Sequence, residues 1–106
     1  MDPHQLAEAR SLAYHRAVAD LLARDATALT RAQRRVDGWV QTGEVHPEYA
    51  AAWRDILSRP VDDIRRILLM DDERMRTLRS VTPFAGAIDP RTRWKIWRSV
   101  REGTAA

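Results

Sequence analysis

Proline marks the points where this chain starts its helices, and this constrains the fold more than any other feature. Four of the five prolines stand directly before a stretch with apolar residues at helical spacing. These are Pro3, Pro47, Pro60 and Pro90. Proline suits the first position of a helix, where its missing N–H would have no intrahelical partner. Asp2 and Asp89 precede two of these prolines as N-caps. The sequence therefore predicts helices that open at these four points.

Apolar residues with a period near 3.6 extend these signals along the whole chain. We expect helices over residues 3–24, 27–42, 47–58, from 60 onward, and over 90–101. Residues 71–73 either cap a further short helix that runs to 80 or sit in a bent continuation. No stretch alternates with the period of a strand. The fold class is therefore all-α, a single domain of five to six helices over residues 1–101, bundle-like or orthogonal, with 102–106 as a frayed tail.

The apolar stripes of these helices supply the expected core. They comprise Ala7, Tyr14, Val18, Leu21, Leu22, Leu29, Ala32, Val36, Trp39, Val40, Tyr49, Ala52, Trp53, Ile56, Leu57, Val61, Ile64, Ile67 and Leu68. Gly43 stands where a left-handed glycine ends a helix, and Gly38 inside the same helix indicates a close backbone approach. Trp94 and Trp97 lie one turn apart, so the last helix is either wedged into the fold or faces a partner.

Several classes of protein are disfavoured by what the sequence contains. Cysteine is absent, the start of the chain has no signal-peptide pattern, and no apolar run approaches the ~20 residues of a membrane span, so we expect a cytoplasmic protein. His4 and His15 are three turns apart on one helix, and no metal-ligand spacing occurs. Neighbouring acids such as Asp62 and Asp63 point in different directions and match helix starts better than a catalytic pair. We expect no metal, no cofactor and no enzyme.

The basic residues allow two interpretations. The net charge is only +3, and 17 of the 18 basic residues are arginine. One interpretation is a surface that follows nucleic-acid phosphates. The other is the solvated side of amphipathic helices, partly paired with Glu44, Asp55 or Glu73. A small RNA- or DNA-binding module is therefore an alternative, although not the favoured one.

Residues 79–94 contain the feature most relevant to function. Phe84, the only phenylalanine of the chain, lies in a connection punctuated by proline and glycine between two arginine-rich helices. The ring either folds into the core of the chain or is presented to a partner. Thr82 and Pro83 before it and Gly86 after it favour a presented turn.

The segment Leu78-Arg79-Ser80-Val81-Thr82-Pro83-Phe84-Ala85-Gly86 resembles the Leu-Arg-x-x-Ser/Thr-Pro-Phe-Ala-Gly signature of a group of small helical bacterial proteins. The stretch 35–39, with Arg35, Val36 and Trp39, fits the same group. His46-Pro47-x-Tyr49 and Trp53 fit it too. The resemblance extends over about residues 12–98. Thr82 departs mildly, since serine is the commoner choice there.

Proteins of this group resemble antitoxins encoded beside nucleotidyltransferase-like toxins, which add nucleotides to the ends of transfer RNA. The resemblance implies that this chain is the protein inhibitor of such a toxin. The expected partner-binding residues are Arg79, Thr82, Pro83, Phe84, Gly86, Arg91, Arg93 and Trp97. A helical adaptor or oligomerisation domain is a further alternative.

Overall fold

The computed structural model describes residues 2–103 and has six helices in this range. They are α1 (Pro3–Leu22), α2 (Ala26–Thr42), α3 (Pro47–Leu57), α4 (Val61–Ile67), α5 (Glu73–Ser80) and α6 (Pro90–Arg101). No strand occurs among the described residues, so the predicted all-α class is confirmed. The radius of gyration of the Cα atoms, 13.6 Å, is that of one compact domain of about 100 residues.

The helices begin where the sequence predicts, because local side chains satisfy their first N–H groups. Asp2 accepts from the backbone N–H of Gln5 at 2.8 Å, while Gln5 accepts from the N–H of Asp2 at 3.1 Å. This reciprocal pair is a capping box. Asp89 accepts from the N–H of Thr92 at 2.9 Å as the N-cap of α6. Pro60 differs slightly, since it is the N-cap of α4 rather than its first residue.

The helix ends were predicted less accurately. Helix α1 ends at Leu22, two residues before the predicted end at 24, because Asp25 already caps α2 through the N–H of Thr27. Asp72 caps α5 through the N–H of Met75 at 2.8 Å, so α5 is a separate short helix rather than a bent continuation. Gly43 ends α2 with φ 73, which confirms the left-handed glycine.

Helix α1 lies at the centre of the packing and contacts α2, α4, α5 and α6, while α2 packs along α3. The most deeply buried side chains come from several helices and from the connection before α6. They include Val18, Val36, Trp53, Ile64, Leu68 and Phe84. Burial of these apolar groups is the main source of stability.

Three residues of the predicted core lie outside it. Ala7 is exposed, Val40 is 48% exposed and Val61 is 37% exposed. Each stands at the border of its helix's apolar stripe, where no neighbouring helix covers it. The expectation for Gly38 is also wrong, because a Cβ atom at this position would meet nothing within 4 Å.

Two further predictions concern the ends of the chain and the membrane. Of the predicted tail, Glu102 is the C-cap of α6 and Gly103 follows it with φ 74°. Residues 104–106 and residue 1 lie outside the described range. Within 2–103, none of the helices is long and apolar enough to cross a bilayer.

Candidate functional site

The segment between α5 and α6 buries Pro83, Phe84 and Ile88 in the protein, while Ala85 and Gly86 between them are exposed. Phe84 is only 2% exposed, and its ring meets the Trp53 ring edge-on, with 6.3 Å between the centroids. Pro83 and Ile88 are buried with it. The backbone polar groups beside the buried side chains need partners within the protein, because water does not reach buried groups.

Side chains from α1 and α2 satisfy the carbonyl groups of this segment. The Tyr14 hydroxyl donates to the Phe84 carbonyl at 2.6 Å. Arg35 Nη1 donates to the carbonyls of Pro83 at 3.1 Å and Ala85 at 2.7 Å. The segment is therefore fastened to both helices on either side of the buried ring.

A hydrogen bond between His15 and Thr82 also attaches the segment to α1. His15 Nδ1 lies 2.7 Å from the Ser11 carbonyl, which can only accept, so Nδ1 carries the hydrogen. Thr82 Oγ1 lies 2.9 Å from His15 Nε2 and accepts from the N–H of Phe84 at 3.1 Å. The Thr82 hydroxyl therefore donates to Nε2 of a neutral imidazole. Each polar atom of this chain of bonds is thus satisfied, and Thr82 Oγ1 both donates and accepts.

The environment of His15 disfavours its charged form. The side chain is 1% exposed, and this burial lowers the pKa of His15 from 6.5 to about 4. The bond to the Ser11 carbonyl raises that pKa, while the nearby positive charge of Arg79 lowers it further. His15 is thus a neutral structural residue at physiological pH.

Arg79 is buried as well, with 4% of its surface exposed. Its Nη1 donates to the carbonyls of Leu68 at 3.1 Å and Met70 at 2.8 Å, which lie just after α4. Burial lowers the pKa of the Arg79 guanidinium, and Asp71 is the strongest of the neighbours that raise it. Arg79 therefore connects the end of α4 to α5.

The structure thus corrects part of the predicted partner-binding set. Phe84 is not a presented ring, because Trp53 and the rest of the core cover it, and Arg79 and Pro83 are buried too. Thr82 is engaged with His15. In the folded chain these four residues hold the interior together rather than face a partner.

Most residues that carry the resemblance make these interior contacts. Trp53 Nε1 donates to the Leu78 carbonyl at 3.1 Å, and Arg35 holds the segment from α2. Gly86 has φ 82, a conformation that favours glycine, and this allows the chain to turn back toward α6. The signature therefore corresponds to a set of residues that fix one connection in the fold.

The remaining predicted site residues lie at the surface, on a patch we call the α6 face. It consists of Arg10 from α1 and of Arg91, Arg93, Trp94 and Trp97 from α6. The guanidinium carbons of Arg10 and Arg93 lie 5.6 and 5.3 Å from the centroid of the Trp97 ring, within the range of cation–π contacts. Trp94 is 54% exposed. Helix α6 therefore packs against α1 and still leaves the Trp94 side chain exposed to solvent.

A groove of about 370 Å³ opens beside Trp97, and we call it the Trp97 groove. Arg10 and Arg93 line it, and Gly86 forms part of its wall. The His15–Thr82 pair lies along the same groove. Of the predicted residues, Gly86, Arg93 and Trp97 therefore do lie together, whereas Arg91 stands on the open side of α6 and is not part of the lining.

The charges of the α6 face are not balanced by the protein itself. Within residues 2–103, no carboxylate lies within 4.0 Å of Arg10, Arg91 or Arg93. The Arg10 Nε atom is buried and has no hydrogen-bond acceptor. A buried donor without a partner is costly, so this site favours an incoming acceptor.

Arginines outside the α6 face fit the second interpretation, in which they lie on the solvated side of amphipathic helices and pair with carboxylates. Six of them form ion pairs with carboxylates, five with a carboxylate three to five positions away along the chain; these are Arg54, Arg59, Arg65, Arg66, Arg76 and Arg98. The expected partner Asp55 binds Arg59 at 2.9 Å. No salt bridge of the described residues involves Glu44 or Glu73, so these two expected partners are wrong.

Sequence reasoning missed Tyr14, His15 and Arg10 as parts of this site. Tyr14 was assigned to the core, and His15 was weighed only as a metal ligand. Arg10 carries no sequence signal, since its role depends on α1 and α6 packing side by side. Within the described range, His, Asp and Glu side chains form no group of three that could hold a metal ion.

No protein-family model, curated protein or solved structure matches this chain.

Proposed function

We propose that this chain is an antitoxin that binds a cognate nucleotidyltransferase-type toxin and inhibits it by direct protein–protein contact. We place this activity in the bacterial cytoplasm, where a toxin that modifies transfer RNA would act. Inhibition by contact needs no catalytic group, and we propose that the chain is not itself an enzyme. The support from the sequence is the resemblance carried by residues 78–86 and by Arg35, Trp39 and Trp53.

The observation that carries the proposal is the α6 face. Trp94 exposes 54% of its surface although it is the largest side chain type, and it lies one turn from Trp97. Tryptophan and arginine are the residues most enriched where binding energy concentrates in protein interfaces. An exposed indole beside unpaired guanidinium groups can lose water and gain ion pairs in the same event.

The buried segment supports this surface indirectly. The hydrogen bonds of Tyr14, Arg35 and Thr82 hold the turn at Ala85 and Gly86 in place. This turn forms one wall of the Trp97 groove. The surface is therefore preorganised by the core, which lowers the entropy lost on binding. The signature residues serve recognition by shaping the site rather than by touching the partner.

A nucleic-acid-binding module receives less support. Six arginines outside the α6 face already pair with carboxylates of this chain, so a continuous row of free cations does not cover the surface. Binding to phosphates depends on such free cations and weakens steeply with salt. The alternative remains an outcome of the experiment below.

The test is co-expression with the product of the adjacent gene, followed by calorimetry of the purified pair. We expect the neighbour to arrest growth alone and to be harmless and bound when this chain is present. A Trp94→Ala variant should weaken binding by about thirtyfold or more, the range of an interface hot spot.

Met70→Ala is the matched control, because Met70 is 45% exposed and is not part of the α6 face. It should bind like the unmodified chain. A neighbour that is harmless alone, or that remains toxic and unbound, would overturn the proposal. Salt-sensitive binding of RNA in its place would favour the nucleic-acid module.

A further inference from the structure

The Trp97 groove combines positive charge with apolar walls. Its volume of about 370 Å³ is sufficient for one or two side chains. Arg10, Arg79 and Arg93 line it, and Trp97 and Ala85 contribute apolar surface. Because Arg79 already donates to the carbonyls of Leu68 and Met70, Arg10 and Arg93 supply the free positive charge of this site.

These groups form an arrangement that an anion would complete. Arg10 and Arg93 both line this groove and both approach the same indole ring, so the groove carries two positive charges. Neither has a carboxylate within 4.0 Å among residues 2–103. The Arg10 Nε atom is a buried N–H donor without an acceptor among the described residues, which is a second observation that favours an acceptor at this site.

The neighbouring surface indicates which kind of anion fits. A second groove of about 520 Å³ continues along α1 and shares Ala7, Ser11 and Arg79 with the first. Glu8 and Glu73 line it, and its only other arginine, Arg76, is paired with Asp71 at 2.7 Å. The positive site thus gives way to a region that carries exposed carboxylates.

This pattern disfavours a polyanion. Successive phosphates of a nucleic acid would meet Glu8 and Glu73 as they followed the surface away from Arg10 and Arg93. A protein segment can carry one carboxylate at the positive groove and neutral or basic groups beside the acidic one. Charge complementarity therefore favours a polypeptide as the occupant.

We propose that the Trp97 groove binds an aspartate or glutamate side chain of the partner protein, held between Arg10 and Arg93 against the Trp97 ring. This inference rests on the proposed function, since it names the chemistry of the partner at the α6 face. Guanidinium groups bind carboxylates with paired, directional hydrogen bonds, which gives the contact its specificity. Arg10 Nε is buried in the free chain, so the Arg10 side chain must change rotamer before this unpaired N–H can donate to the carboxylate.

The experiment measures the affinity of the full chain for the adjacent gene's product with Arg10→Gln and Arg93→Gln. Each should weaken binding about tenfold, and the double variant by less than the product of the two, because both residues hold the same group. Arg31→Gln is the matched control, since it removes an equal charge from an exposed position on α2. It should lower the affinity by less than twofold.

A second arm uses the free chain and does not need the toxin. A short peptide containing one glutamate is titrated in parallel with its glutamine counterpart, and the Trp97 indole N–H resonance is followed. The glutamate peptide should shift this resonance and the glutamine peptide should not; both Arg variants should abolish the shift. A single-stranded RNA that shifts it more strongly would overturn the assignment to a carboxylate.

The two proposals fail in different ways. If the neighbour binds but the Arg10 and Arg93 variants lose no more affinity than Arg31→Gln, the groove assignment is wrong and the antitoxin proposal stands. If the neighbour does not bind while the glutamate peptide does, the partner is a different acidic protein. If neither binds, the groove does not recognise carboxylates.

Discussion

Acidification should destabilise this protein through His15, in a window set by its buried position. Burial lowers the pKa of His15 to about 4, from 6.5 in an unfolded chain. Between these values the unfolded state binds more protons than the folded state, so the free energy of unfolding falls as the pH falls. The full contribution is present above pH 6.5 and is lost as the pH approaches 4.

The size of the effect follows from the same two pKa values. One pKa unit corresponds to about 1.4 kcal/mol, so His15 accounts for about 3 kcal/mol when the titration is complete. Lowering the pH from 7 to 5 should remove about 2 kcal/mol of this. A domain of this size is stable by only about 5–15 kcal/mol, so the loss is easily measured.

The assay is urea unfolding at pH 5, 6 and 7, followed by tryptophan fluorescence. His15→Gln removes the titrating ring, and its free energy of unfolding should change about 2 kcal/mol less over this range than that of the unmodified chain. His46→Asn is the matched control. His46 is exposed and caps α3 by accepting from the Glu48 N–H, a role that asparagine also fills.

The control should retain the full pH dependence. A second measurement, the pKa of His15 by NMR in the unmodified chain, applies even if His15→Gln does not fold. The reasoning would be refuted by a folded-state pKa near 6.5, or by equal pH slopes in His15→Gln and the unmodified chain. Either result would mean that the ring is hydrated and not held by Ser11 and Thr82.

Three further changes test the buried segment by urea unfolding. Phe84→Ala should cost about 3–5 kcal/mol, because the ring is almost fully buried against Trp53; a loss below 1 kcal/mol would mean that the ring is exposed in solution. Thr82→Val should cost about 1–3 kcal/mol by leaving the Phe84 N–H and His15 Nε2 without partners, whereas Thr82→Ser should be close to neutral. Tyr14→Phe should cost about 1 kcal/mol through the lost bond to the Phe84 carbonyl, and an unchanged free energy of unfolding would contradict that bond.

The sequence by itself determined the helices and most of the core. Capping residues and prolines act within one turn of the chain, so Asp2, Asp89 and Pro47 specify helix starts without help from the rest of the fold. The apolar period then identifies buried positions such as Val36, Trp53 and Ile64. It fails at the edges of a stripe, where burial of Val40 or Val61 depends on whether another helix covers them.

Only the tertiary structure decided the role of residues 78–88. From sequence, a proline- and glycine-containing connection favours a surface turn, and a lone phenylalanine in it suits a partner. The structure instead buries Pro83, Phe84 and Ile88. Tyr14, His15 and Arg35 satisfy polar groups of this segment that would otherwise need water. These residues lie 48 to 70 positions away along the chain from the groups that they bind.

The set of residues that forms the α6 face also depends on the tertiary structure. Arg93 and Trp97 are one turn apart and were identifiable from sequence, but Arg10 lies on α1, and only the packing of α1 against α6 brings it to the indole. Local rules act through the backbone over a few residues, and so they can be read from the sequence. Contacts between side chains that are distant in sequence depend on which helices pack together. Helix packing in turn depends on how the apolar side chains of all the helices are buried in one core.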